Sequence, residues 1–233
     1  MSEWRDPRIA EGMRLQAELR RRRAQAGAKL IGWKVGFGAP AAKQKLKIEA
    51  PLVGFLTDQA LLPSGATIAL GDWQKPVAEP EIAIHLGRDV PGNADRATAK
   101  AAIAALGPAI EIADVDGPLD DVCSILAGDI FQRHVIVGSA DSTRAGARLT
   151  GLIGRVVRSG KEVEMPSDLE ADTGDLIDIV RDVAAVTART GDGLKAGQLI
   201  IAGSVVPPLF VAPGETLTFE LHPIGAVAVS FMV

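Results

Sequence analysis

The chain has no tyrosine and only one cysteine, Cys123, in 233 residues. A lone thiol excludes an internal disulfide. In Asp121-Val122-Cys123-Ser124-Ile125-Leu126 it reads as a packing residue rather than a nucleophile. Aromatic residues make up 4% of the chain, too few to expect base-stacking platforms for nucleic acid. Basic residues (25) do not outnumber acidic ones (29), and the net charge of −4 argues against a general nucleic-acid or anionic-membrane binder. The one basic block, Arg20-Arg21-Arg22-Arg23, falls in a helical pattern with Leu15 and Leu19 and reads as a solvated helix face. No apolar run approaches the roughly 18 residues of a membrane span, and the N-terminus shows no apolar core like that of a signal peptide. A cytoplasmic protein is the expectation.

Hydrophobic residues make up 47% of the chain, enough to bury a sizeable core. The pattern predicts an N-terminal helical arm over 1–27, stopped at Gly27, and a single domain over 28–233. Within that domain a strand is expected from Ala28 to Phe37 and a short helix from Ala39 to Leu46. Pro51, Gly54, Pro63 and Gly65 are expected to mark turns around short strands. Further on come a strand over 79–87, an alanine-rich helix over 95–106, a strand over 108–115 and a looser stretch over 116–131. A strand at His134–Gly138 and a hairpin turning at Ser159-Gly160 follow. The clearest helix carries Leu176, Ile177, Ile179, Val180 and Val183, with Asp172 or Thr173 as its cap and Gly191 as its stop. Three late strands complete a mixed α/β fold.

Three acids stand in strand-like apolar runs. In Glu79-Pro80-Glu81-Ile82-Ala83-Ile84-His85-Leu86 a period of two puts residues 79, 81, 83 and 85 on one face. In Ala109-Ile110-Glu111-Ile112-Ala113 the same alternation sets Glu111 among small residues. If these strands are neighbours, three carboxylates converge. They repel by about 4 kcal/mol per pair at an effective dielectric near 20, so they must protonate, find basic partners or hold a metal. An all-oxygen donor set favours Mg2+ or Mn2+ over zinc, and His85, though it shares the face, is expected behind the ligands rather than among them. The alternative is a solvated acidic strand face. Lys34 lies between Gly32 and Gly36 on the face opposite Trp33 and Val35.

Four segments in order, Gly32-Trp33-Lys34-Val35-Gly36, Glu79-Pro80-Glu81-Ile82-Ala83, Pro108-Ala109-Ile110-Glu111-Ile112 and Leu194-Lys195-Ala196-Gly197-Gln198 with Ala202-Gly203-Ser204, resemble the hydratase/decarboxylase branch of the fumarylacetoacetate hydrolase superfamily. The pattern is similar to 2-oxopent-4-enoate hydratases and 4-oxalocrotonate decarboxylases. That resemblance implies a mixed β-sandwich roll with flanking helices. It also implies a divalent metal on Glu79, Glu81 and Glu111, an active-site lysine at Lys34 and an acid/base or water-positioning aspartate at Asp129. Ser204 is the candidate donor to the substrate carboxylate. Lys34 either shuttles a proton with a depressed pKa or stays charged and orients the substrate; its structural alternative is a salt bridge to one of the acids.

Departures from the pattern fall at Ile130-Phe131-Gln132, at Phe37-Gly38-Ala39 and at Gln198, so the wall around the substrate differs more than the metal set. The implied reaction is addition of water to a 2-hydroxy-2,4-dienoate to give a 4-hydroxy-2-oxo acid, with decarboxylation of a 4-oxalocrotonate-type acid as the alternative. Acylpyruvate hydrolysis is disfavoured, because the lid histidine it requires has no counterpart before residue 85. A homo-oligomer, association with a related subunit, and a non-catalytic partner role are the remaining expectations.

Overall fold

The computed structural model describes residues 4–233. In chain order the first half contains α1 (Pro7–Gln25), β1 (Leu30–Gly36), α2 (Pro40–Leu46), β2 (Leu52–Thr57), β3 (Leu61–Leu62), β4 (Ala66–Ala69), β5 (Pro76–Leu86), α3 (Arg96–Ala102) and β6 (Ile103–Asp114). The second half adds α4 (Val122–Ala127), β7 (Gln132–Val137), β8 (Ile153–Arg158), β9 (Lys161–Val163), α5 (Leu176–Thr190), β10 (Leu199–Ser204), β11 (Leu209–Phe210), β12 (Thr216–His222) and β13 (Gly225–Met232).

Strands β2-β1-β10-β5-β6-β7-β3 form one large mixed sheet, with β11 added beside β5, and β4-β13-β12-β8-β9 form a smaller one. Period-two alternation divides the side chains of the large sheet. Trp33, Phe55, Ile82, Ile84, Ile110 and Ile200 pack outward against Leu217, Phe219, Val227 and Val229 of the small sheet and against α5. Each such fully buried side chain contributes about 1.5–3 kcal/mol. The opposite face is lined by Leu56, Ala83, Ala109, Val135 and Ile201, a second and smaller core. A separate core gathers Met13 of α1, Leu46, Ile125, Leu126 and Phe131.

That inner face is the inside of a curl. Strands β1 and β6 are three steps apart in the sheet, about 14 Å if it were flat. Yet the Lys34 ammonium on β1 bonds the Glu111 carboxylate on β6. The edge strand β2 is shielded rather than left open. Gln16 of α1 donates to Val53 O at 3.1 Å, and Asp129 accepts from Phe55 N at 2.8 Å.

The structure amends several expectations. The helix expected over 95–106 stops at Ala102, because residues from Ile103 onward pair with β5, and sheet pairing overrides alanine's helix preference. The looser stretch contains α4, capped by Asp121, which accepts from Ser124 N. Gly54 lies inside β2 rather than at a turn. The cap of α5 is Asp175, accepting from Ile177 N and Asp178 N, because the left-handed Gly174 (φ 92°) delays the helix start past Asp172 and Thr173. The arginine block is only half solvated. Arg21 and Arg22 are exposed, whereas Arg20 reaches Asp192 at 2.6 Å and Arg23 reaches Asp129 at 3.2 Å.

Gly32 lets β1 approach β10, since a Cβ there would sit 2.1 Å from Leu199 O. Gly32→Ala is expected to cost about 3 kcal/mol or more in urea unfolding, the upper end of overpacking penalties. A loss below about 1 kcal/mol would contradict this close strand approach.

Candidate metal centre and catalytic pocket

Strands β5 and β6 pair in antiparallel register with Glu79 opposite Glu111 and Glu81 opposite Ala109. The small neighbours Ala83 and Ala109 leave the inner face open around the acids. One oxygen from each of Glu79, Glu81 and Glu111 lies within 4.8 Å of the others. Glu81 and Glu111 are 1% exposed, while Glu79 is half-buried and faces the cavity. Strand β10 breaks register between Ile201 and Ser204, and there Gly203, at φ 97°, turns its N–H onto Glu81 Oε2 at 2.6 Å.

The electrostatics of this cluster do not balance. Among the described residues Lys34, itself buried, is the one ammonium bonded into it, through Glu111 Oε1 and through Ile130 O at 3.1 Å. Burial, then the Glu111 charge, pushes Glu79 up to about 7. Burial and the same neighbours hold Glu81 well above the carboxylate range, and burial raises Glu111 in spite of Lys34. Burial by itself would lower Lys34, but the attraction of Glu111, Glu79 and Glu81 outweighs it and the net shift is upward. Without a metal, Lys34 therefore stays charged, the second of the two states expected for it, and it makes the salt bridge that was the structural alternative. Three carboxylates, two buried and one half-buried, against one ammonium, all donors being oxygen, fit a hard divalent cation.

Asp129 is fully buried. It opens a run of three non-glycine residues in the left-handed region, Asp129 (φ 58°), Ile130 (φ 52°) and Phe131 (φ 63°). Each costs on the order of 1–3 kcal/mol and persists only where its surroundings hold it. Its carboxylate turns toward β2 and α1, accepting from Phe55 N and pairing with Arg23, while Ile130 and Phe131 face the cavity. Burial pushes Asp129 up to about 7. Gly54 makes room for this arrangement: a Cβ there would meet both Asp129 Oδ1 and Lys34 Cγ at 2.8 Å.

A cavity of about 490 Å3 opens above the cluster, with Lys34 and Glu79 at its base. Phe37, Ala39, Ala42, Leu119, Ile130, Phe131, Val206, Pro207, Pro208 and Phe210 line most of the rest, and Asp172, Thr173 and Ser204 add polar groups. The Ser204 hydroxyl is buried and has no partner among the described residues. His85 lies two rows beyond Glu81, half-buried and outside the carboxylate cluster, and its burial lowers its pKa. Gln198 accepts from Trp33 Nε1 at 3.1 Å and from Lys195 N at 3.0 Å, a structural clasp. Sequence reasoning missed Arg23, Gly203 and Gln132. Gln132 is buried with both amide atoms unpartnered among the described residues, and only its place after Asp129 hinted at it.

The profile of the fumarylacetoacetate (FAA) hydrolase C-terminal family matches residues 29–231. The chain belongs to the fumarylacetoacetate hydrolase family. Relatives within it include a 4-oxalocrotonate decarboxylase of Pseudomonas sp, 27% identical over 95% of this chain and 86% of the relative. A 2-keto-4-pentenoate hydratase of Paraburkholderia xenovorans (strain LB400) is likewise 27% identical, over 97% and 85%. Among solved structures of the fumarylacetoacetate hydrolase fold, the 4-oxalocrotonate decarboxylase from Pseudomonas putida G7, complexed with magnesium and adipate, superposes with a TM-score of 0.87. It is 26% identical, covering 96% of this chain and 86% of the other. The fumarylpyruvate hydrolase from Pseudomonas aeruginosa, at 13% identity and a TM-score of 0.70 over 88% and 90% of the two chains, shares the fold.

Because Glu79 titrates near 7 and Glu81 and Glu111 lie above the ordinary 4.5, the folded metal-free chain binds more protons than the unfolded chain between those limits. Its stability falls as pH rises through that window. A cation that replaces those protons should widen the melting-temperature gap between Mg2+-loaded and EDTA-treated protein as pH rises from about 5.5 to about 8. A gap independent of pH would contradict the buried-carboxylate account.

Proposed function

We propose that this chain is a divalent-metal-dependent hydro-lyase that adds water to a 2-hydroxy-2,4-dienoate to give a 4-hydroxy-2-oxo acid. The observation that carries the reading is the three-carboxylate cluster at the base of a largely apolar cavity. Glu79, Glu81 and Glu111 are the assigned ligands for Mg2+ or Mn2+. When bound, that ion would supply Lewis-acid stabilisation of the negative charge that develops on a 2-oxo acid as it enolises.

The chain's own groups do the rest. Ser204, with an unpartnered hydroxyl at the cavity wall, donates to the substrate carboxylate. Lys34, among the described residues the one cationic side chain lining the cavity, is held charged by the three carboxylates; a bound cation that offset them would leave burial to lower its pKa, and in that state the lysine carries protons. It gives one to the terminal carbon of the dienol and recovers the one lost from the enol oxygen, leaving a conjugated enone. Water then adds to the fourth carbon while its other proton goes to the third. Asp129 faces away from the cavity, so its part is to hold the turn that carries Ile130 and Phe131 rather than to touch substrate.

Hydratase and decarboxylase relatives are about equally similar, and the cavity lining is what supports the hydratase reading. A decarboxylase substrate carries a second carboxylate, and among the described residues lining the cavity Lys34 is the one basic group, the rest being mostly apolar with an acid, Asp172, that would repel it. We favour an uncharged distal group. The reading also keeps a cytoplasmic homo-oligomer, able to associate with a related subunit, for which light scattering of the purified protein is the direct test.

The activity test is ultraviolet absorbance decay of 2-hydroxypenta-2,4-dienoate with Mg2+ against an EDTA control, the product being identified by mass. Metal-dependent gain of one water is expected, and Glu81→Gln should stay folded and lose activity by roughly 100-fold or more. Carbon dioxide release from 4-oxalocrotonate with no hydration of the dienoate would move the assignment to decarboxylase.

A further inference from the structure

The N-terminal helix is tied into the active site by one side chain. Arg23 Nη1 lies 3.2 Å from Asp129 Oδ2, and the guanidinium sits 5.0 Å from the centre of the Phe55 ring. The other Asp129 oxygen accepts from Phe55 N at 2.8 Å, so the carboxylate is held between α1 and the edge strand β2. Asp129 begins the left-handed turn 129–131, and the next carbonyl, Ile130 O, accepts from Lys34 Nζ at 3.1 Å. Lys34 in turn bonds Glu111. Every link from Arg23 to the carboxylate cluster is a direct contact.

We propose that Arg23 is a positioning residue of the active site: through Asp129 it holds the strained turn whose Ile130 carbonyl aims the Lys34 ammonium at Glu111 and the cavity. The proposal deepens the hydratase reading and rests on it for the role of Lys34. A purely structural ion pair at this place would not need a buried, strained partner whose neighbour touches the proton carrier. Asp129 is fully buried while Arg23 is about one-third exposed, so most of the cost of ionising the pair falls on the aspartate. The groups facing Asp129 are Arg23 from α1, Lys34 from β1, the Phe55 N–H from β2 and, more distantly, Glu111 from β6. Removing Arg23 takes away one of the two cations that favour the ionised form, so the Asp129 pKa should rise.

The test compares Arg23→Met, which keeps an apolar stem over Phe55 but drops the charge, with Arg23→Lys, which keeps a charge. Arg23→Met is expected to lower kcat roughly 10- to 100-fold, the range for groups that orient active-site ligands from behind, with little change in KM. The acid limb of the pH profile should move to higher pH, and Arg23→Lys should restore part of both. Carboxyl carbon NMR of Asp129 reads the ionisation without turnover and should show the same upward shift in Arg23→Met. An Asp129 titration unmoved by Arg23→Met, or a fall in melting temperature with kcat and pH profile unchanged, would overturn the proposal. If the wild type fails to hydrate any dienoate, the functional reading fails, while the NMR titration still decides whether Arg23 controls Asp129.

Discussion

Mutual repulsion among Glu79, Glu81 and Glu111, gathered on the inner face of a curled sheet with Lys34 as their bonded ammonium, is the constraint on which the rest of the site depends. At about 4.8 Å and an effective dielectric near 20, each pair of ionised carboxylates repels by about 3–4 kcal/mol. At 1% exposure, Glu81 and Glu111 cannot be screened by water. The chain answers with groups that favour charge, the Gly203 N–H on Glu81 and the Lys34 ammonium on Glu111, yet burial still wins and the carboxyl pKa values rise. A cluster so unfavourable by itself suits a divalent cation as its partner.

The surrounding architecture serves that cluster. The curl brings β1 within reach of β6, and Gly54 clears the volume through which the Lys34 stem and the Asp129 carboxylate pass. The 129–131 turn then bridges the inside of the roll, from β7 to the edge of β2, by accepting the Phe55 N–H. Three successive left-handed residues would be costly in an open loop; here the backbone bonds from Ile130 N to Ile125 O and from Gln132 N to Asp129 O pin both ends. The strain also turns Ile130 and Phe131 into the cavity, whose apolar wall suits a small hydrophobic tail.

Much of this was legible because it depends on local periodicity. Two-residue alternation placed Glu79 and Glu81 on one face, and small neighbours marked the face that had to stay open. The in-register contact of Glu79 with Glu111 needed only that β5 and β6 be neighbours, as they are. What escaped was non-local. Arg23 reads as one of four surface arginines until the curl brings Asp129 beneath it. Gly54 reads as a turn because its lack of a side chain serves Lys34 rather than its own backbone. The α4 helix was readable in principle from Asp121, Ser124 and the Val122/Ile125/Leu126 spacing, but its six residues are too short for a strong pattern. The true cap of α5 depended on the left-handed turn at Gly174, a backbone choice that composition does not report.

If Glu79, Glu81 and Glu111 act as one divalent-cation site, they bind one ion together. This is tested most directly by titrating metal-stripped protein with Mn2+ and following free ion by electron paramagnetic resonance. One saturable site per chain is expected, weakened roughly tenfold or more in folded Glu81→Gln and Glu111→Gln variants. Absence of saturable binding, or binding unchanged in both variants, would contradict it.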